Sequence, residues 1–266
     1  MQHWITTKTL LDINKNETET FEYKIYTIDS NGQTIDETEF DEAGNTVCKR
    51  IYRYFEDGEV KEYIEYDPND ELLERHIYLK NDFGEIDRIE HEFNEGHKSI
   101  KEFYYTDLGY ADRVEIRNEH GEITGFEIYQ LDEKGQVIEA TELDADNNEV
   151  ARLKKEYLEN GLISVEKHFS QGKLFKAEYF EYDDYANLIK KTLKNQADNF
   201  VIIDQYQYDE RHNMIYNCSH QNGLLVFENK CTYNEDNHLI AEEFFELDFW
   251  EKKISRHERL KHQLRG

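Results

Sequence analysis

The sequence has one proline in 266 residues, three cysteines, modest glycine and few basic side chains. The proline, Pro68, sits in Tyr66-Asp67-Pro68-Asn69-Asp70, where its fixed φ suits the second position of a turn. Cys48, Cys218 and Cys231 are odd in number and contain no CxxC pair, which excludes a disulfide framework. Folding the chain about Asn222-Gly223 places Cys218 opposite Phe227 and Cys231 near Met214, so these two thiols are not partners and are expected to be reduced. No apolar run approaches the roughly 20 residues of a spanning helix. Met1-Gln2-His3-Trp4 has neither the basic nor the apolar region of a signal peptide. These absences lead to the expectation of a cytoplasmic protein. Lys plus Arg number 32 against 59 Asp plus Glu, a formal net charge of -27. Such a surface repels phosphate backbones and anionic membranes and favours a basic partner or simple solubility.

What the sequence does have is a repeat. Leu131-Asp132-Glu133-Lys134-Gly135-Gln136-Val137-Ile138 places an acidic residue and a glycine between two apolar stretches. The acid's side chain caps a turn backbone and glycine accepts φ > 0 without a steric cost. The apolar residue that opens such turns recurs as Leu79, Tyr105, Leu131, Tyr157, Tyr182, Tyr208 and Tyr233, at spacings of 25 or 26. A second series interleaves, through Phe40, Tyr66, Phe93, Ile116, Leu143 and Phe169. Each unit of about 26 residues therefore holds two strands and two turns, connections too short for parallel crossovers. Nineteen Tyr, fifteen Phe and two Trp suit strands.

The fold expected is all-β: a long antiparallel meander of about 18 short strands over residues 21–250, curled into an open shell or spiral, with an elongated single-layer sheet as second choice. Residues 1–20 are expected to form a first strand or a short N-terminal cap. Residues 251–266 carry six basic and two acidic side chains and good helix formers, and are expected to form a short C-terminal helix or basic tail docked on the acidic body.

The turn phrases Tyr182-Asp183-Asp184-Tyr185-Ala186-Asn187, Tyr208-Asp209-Glu210-Arg211-His212-Asn213 and Phe40-Asp41-Glu42-Ala43-Gly44-Asn45 resemble the tyrosine-aspartate (YD) repeats of the Rhs family. The shorter Tyr157-Leu158-Glu159-Asn160-Gly161-Leu162 and Phe169-Ser170-Gln171-Gly172-Lys173-Leu174 look like the MORN-variant repeats of bacterial antitoxin-like proteins. The resemblance spans residues 21–250. It implies a wound β-hairpin repeat and a small stand-alone module, of the kind that serves as an immunity protein.

Residues with catalytic spacing are not found. The Asp-rich turns lack the Asp-x-Asp-x-Asp spacing of an EF-hand and the glycine phrase of calcium β-rolls. His91 and His97 flank one turn, and His212 and His220 flank one strand, without zinc-site spacing. No phosphate-cradling or nucleophile-elbow phrase occurs. The expectation is no catalytic residue, no metal and no cofactor. One ordered candidate remains: Glu39, Glu65, Glu92, Glu115 and Glu142 stand immediately before the openers of the second series. They are expected to form an acidic outer stripe, either a solvated face that discourages aggregation or a docking stripe for a basic protein. The leading expectation is a non-catalytic protein-binding module, an immunity or antitoxin-like protein neutralising a basic toxin. The alternatives are a shell or scaffold component of a secretion or surface assembly, and an enzyme with a site inside the curled sheet.

Overall fold

The computed structural model describes residues 1–12, 16–247 and 254–264. They form twenty strands: β1 (Gln2–Leu11), β2 (Glu17–Ile28), β3 (Thr34–Phe40), β4 (Thr46–Tyr54), β5 (Val60–Tyr66), β6 (Leu72–Lys80), β7 (Ile86–Phe93), β8 (Lys98–Tyr105), β9 (Ala111–Asn118), β10 (Ile123–Leu131), β11 (Val137–Asp144), β12 (Glu149–Tyr157), β13 (Ile163–Ser170), β14 (Lys173–Tyr182), β15 (Leu188–Asn195), β16 (Phe200–Tyr208), β17 (Met214–Gln221), β18 (Leu224–Tyr233), β19 (Leu239–Leu247) and β20 (Ile254–Leu264). Among the described residues the one helical element is a single 3-10 turn at Asn94–Gly96.

The turns follow from their side chains. Asp41 Oδ1 accepts the backbone N–H of Ala43 at 2.9 Å and of Asn45 at 2.8 Å, and Gly44 takes φ +79°. Asp67, Asp132, Asp144, Asp183 and Asp209 repeat these two bonds, and Asn81 and Asn118 make them with a neutral amide. A one-residue bulge precedes most turns, as between Glu65 and Tyr66 or Gln207 and Tyr208, and adds local twist.

A second device recurs at strand ends. The tyrosine that closes the second strand of a hairpin donates its hydroxyl to the carbonyl that opens the first. The pairs are Tyr54 to Thr34 (2.6 Å), Tyr105 to Ile86, Tyr182 to Ile163 (2.9 Å), Tyr208 to Leu188 (2.9 Å) and Tyr233 to Met214 (3.1 Å). Burial raises the pKa of each of these tyrosines, so the hydroxyl proton stays in place.

The expected open shell is corrected by the pairing. Each strand pairs with its neighbours in sequence, and β1 pairs with both β2 and β20, so the strand ladder closes as a 20-stranded antiparallel barrel. Full closure leaves no row of unpaired backbone groups, which an open sheet of this size exposes at two edges. The expected C-terminal helix is likewise a strand over 254–264, and residues 251–253 and 265–266 of that segment lie outside the described residues. In β20, Glu258 faces Leu10 of β1 and Phe244 of β19, so its backbone is satisfied on both sides. That outweighs helix propensity worth a few tenths of a kcal/mol per residue. The basic side chains of β20 also meet acids: Arg256 reaches Glu246 at 3.6 Å and His257 reaches Glu243 at 3.1 Å. Of the two options for the N-terminus, the strand is the one formed.

By internal contacts the chain divides into two compact units, residues 1–2, 26–155 and 168–173 in one, and 3–25, 156–167 and 174–266 in the other. In the first, Val114 is fully buried and Cys48, Ile64, Glu62 and Glu115 are nearly so. In the second, Ala177, Cys218, Cys231 and Thr6 are buried. Three cysteines are free thiols. Cys218 faces Glu228 rather than Phe227, because a bulge between Ser219 and His220 shifts that hairpin by one residue.

Candidate functional site: acidic turns and the grooves between them

Register places the five candidate glutamates on two faces. Glu39 pairs with Cys48, Arg50 with Glu65, and Glu127 with Glu142, which puts Glu39, Glu65 and Glu142 on one face of the first unit. Arg75 pairs with Glu92 and Glu102 with Glu115, on the opposite face. The reason is a phase slip. In the regular turn, Asp67 N–H bonds the Glu71 carbonyl and Tyr66 opens the turn; the matching bonds come from Phe93 N–H to His97 and from Asn118 N–H to Glu122. The openers there are Glu92 and Arg117, so His91 and Ile116 occupy the column that Glu92 and Glu115 were assigned. A single acidic stripe does not form.

Most strand carboxylates are also already paired. Arg50 joins Glu37 (2.8 Å), Glu39 (3.5 Å) and Glu65 (3.2 Å), and Glu65 additionally accepts the Tyr63 hydroxyl. Glu92 lies between Lys98 (3.2 Å) and Arg75 (3.9 Å), and Glu115 between Arg113 (2.5 Å) and Arg117. Glu62 is held by Arg53 (2.5 Å) and Arg75, and Glu127 by Lys101 (2.7 Å). In the second unit Glu178 meets Lys191 at 2.8 Å and Glu181 meets Lys190 at 2.7 Å. Glu142 is exposed and makes no ion pair among the described residues.

The excess negative charge therefore sits on the turns. Between residues 26 and 155 of the first unit every turn carries at least one Asp or Glu, and Lys134 is the one Lys or Arg within them. Lys49 on Asp70 and Lys80 on Asp57 and Glu59 give partial neutralisation from the strands. The capping aspartates are held ionised: side-chain and backbone bonds from Asn45 lower the pKa of Asp41, and bonds of the same kind lower Asp67, Asp144, Asp183 and Asp209.

Beside these turns, the strand face that carries Glu65 holds a band of rings. Tyr52 and Tyr63 lie 5.4 Å apart, Tyr63 meets His76 edge-on at 5.6 Å, and His76 stacks on His91 at 4.2 Å. Burial lowers the His91 pKa, with His76 and Lys101 adding to it. Burial raises the Tyr52 hydroxyl to about 12 and the Cys231 thiol to about 11, and also raises Cys48. Those two thiols stay protonated near neutral pH and are poor nucleophiles.

In the second unit, successive turns at one end of the strands leave grooves between them. One, of about 420 Å³, lies between the turns at 183–187 and 209–213; the next, of about 430 Å³, lies between 209–213 and 234–238. They are the same groove one repeat apart. Asp183, Tyr185 and Asn187 of the first correspond to Asp209, Arg211 and Asn213 of the second, and Tyr206, Glu210 and His212 to Cys231, Glu235 and Asn237. In the first groove, Tyr185 is 75% exposed, its ring 5.0 Å from that of His212, and Asn187 Nδ2 donates to His212 Nδ1 at 3.1 Å. In the second, Arg211 Nη1 donates to the Glu235 carbonyl at 2.8 Å. The sequence marked these segments as turns. The groove between two turns needs the 26-residue stacking to be visible.

No family model and no curated relative matches the chain. Among solved structures it is similar to a chain of TcdB2-TccC3-TEV, at 15% identity over 87% of this chain and 13% of that chain, with a TM-score of 0.38. It is similar to a chain of TcdB2-TccC3-Cdc42 at 12% identity over 92% and 17%, with a TM-score of 0.35. It is also similar to a porin-like protein from Bacteroides uniformis, at 9% identity over 98% of this chain and 97% of that chain, with a TM-score of 0.43. The chain thus spans well under a fifth of the length of the two TcdB2-TccC3 chains.

The expected cytoplasmic location is corrected. It rested partly on the absence of a spanning helix, and no described helix is indeed long and apolar enough to cross a membrane. A closed, even-numbered antiparallel barrel is the outer-membrane type of architecture, which crosses with strands, so that absence has no bearing on it. With the open shell and the cytoplasm, the narrower picture of a cytoplasmic immunity protein is withdrawn.

Proposed function

We propose that this chain is a non-catalytic protein-binding barrel whose acidic turns dock a basic protein partner. The observation that supports it most is the separation of charge: strand carboxylates are matched to Arg and Lys, whereas the turns carry aspartates and glutamates with few counter-cations. Fixed negative charge at strand ends speeds the encounter with a basic surface and selects against acidic ones. The Tyr-Asp turn phrases support a relationship to Rhs-type repeats. The site needs no cofactor.

The test uses the immobilised protein beside a variant in which Asp41, Glu42, Asp67, Glu119, Asp144 and Asp146 are replaced by their amides. Asn retains the Oδ1 acceptor that caps each turn, as Asn81 and Asn118 already do, so charge is removed with the turn intact. Capture of a basic protein by the parent at low salt, with loss at high salt and in the variant, is the expected result. Capture that ignores both salt and charge contradicts the proposal.

A further inference from the structure

Equivalent grooves one repeat apart differ in a way that identifies a ligand. In the groove between the turns at 209–213 and 234–238, Arg211 lies along the space and its guanidinium donates to the Glu235 carbonyl at 2.8 Å. The chain itself therefore shows that a guanidinium fits between two stacked turns. In the groove between 183–187 and 209–213, Tyr185 takes the position of Arg211, Glu210 that of Glu235, and no Lys or Arg lines the space. Three carboxylates do line it, those of Asp183, Asp209 and Glu210. Asp183 and Asp209 are kept ionised by their turn bonds, and Glu210 is exposed. Tyr185 presents an open ring against His212, the kind of face on which a cation rests.

We propose that the groove between the turns at 183–187 and 209–213 binds an arginine side chain of the partner protein. The guanidinium stacks on Tyr185, donates to the Glu210 carbonyl or carboxylate, and replaces the internal arginine found one repeat later. This rests on the reading of the chain as a binder of a basic protein and assigns one specific recognition point to it. Arginine fits better than lysine because its planar fork can stack and donate at once.

The test is an NMR titration with N-acetyl-arginine amide, with the lysine and the neutral citrulline analogues as controls, on the full chain and two variants. Tyr185→Arg restores the internal guanidinium, and Arg211→Tyr removes the one in the next groove. Both positions are exposed, and far-UV circular dichroism verifies that each variant folds. The expected result is saturable shifts at Tyr185, Glu210 and His212 with one arginine bound, weaker binding of lysine and none of citrulline. Tyr185→Arg should weaken binding at least about tenfold, the size of a lost charge-assisted contact. Arg211→Tyr should add a second site. Equal binding of citrulline, unchanged binding by Tyr185→Arg, or no second site in Arg211→Tyr overturns the assignment. If the groove ignores arginine while basic-protein capture still depends on turn charge, the groove fails and the proposed function stands. If neither responds, both fail.

Discussion

The Tyr208 hydroxyl donates to the Leu188 carbonyl at 2.9 Å, tying the end of β16 to the start of β15, and Tyr54, Tyr105, Tyr182 and Tyr233 make the same link elsewhere. This gives tyrosine, and not merely an apolar residue, a role at these five positions. Phenylalanine would retain the ring's packing but leave a half-buried carbonyl without its donor. Tyr208→Phe is expected to lower stability by about 1 kcal/mol, and Tyr185→Phe, with its ring in solvent, by much less. Chemical denaturation of the two variants checks this.

Glu115 and Glu142 separate structural from available carboxylates. Glu115 is 7% exposed between Arg113 and Arg117, whereas Glu142 is exposed and without an ion pair among the described residues. Glu115→Gln is expected to cost about 1–2 kcal/mol, since it leaves two partly exposed arginines short of a carboxylate, and Glu142→Gln less than about 0.5 kcal/mol. Equal effects in a denaturation series would contradict this division into a buried, paired carboxylate and an exposed, unpaired one.

Gly135 and Gly44 share the left-handed backbone, φ +80° and +79°, but differ in surroundings. A Cβ on Gly135 would collide with the Tyr110 ring, while one on Gly44 meets nothing within 4 Å. Gly44→Ala should cost about 1 kcal/mol from the backbone alone, and Gly135→Ala more, unless the ring swings away. Thermal melts of the pair provide the comparison.

Two acid-sensitive steps follow from the shifted groups. Burial against His76 and Lys101 lowers the His91 pKa below its ordinary 6.5, so the unfolded chain binds that proton more readily. Stability therefore falls as pH drops through about 6.5, and His91→Gln should flatten that step. The capping aspartates have folded pKa values below 3.8, so their contribution is present above that value and is lost as pH falls beneath it. Stability measured from neutral pH to strong acid should show both steps.

Much of this architecture is legible in the sequence, because turn chemistry is local. The caps at Asp41, Asp132 and Asp209 and the left-handed glycines were readable one phrase at a time. Closure was not, since the pairing of Lys8 with Leu260 joins residues at opposite ends of the chain. Nor was the strand nature of 254–264, whose composition favours helix but whose position between β19 and β1 offers two backbone partners. The glutamate column failed for a smaller reason. Phe93 and Ile116 look like openers by their apolar side chains, yet the turn bonds begin one residue away from the regular register, which sends Glu92 and Glu115 to the other face. The paired grooves were invisible because each is lined from two turns a full repeat apart.

Docking through the acidic turns is tested by the salt dependence of binding to a fluorescently labelled oligo-arginine peptide, followed by anisotropy for the parent and the six-amide variant. If the turns supply the charge, affinity falls steeply with salt for the parent and is weaker, with a flatter dependence, for the variant. The same affinity and the same salt slope for both proteins would contradict it.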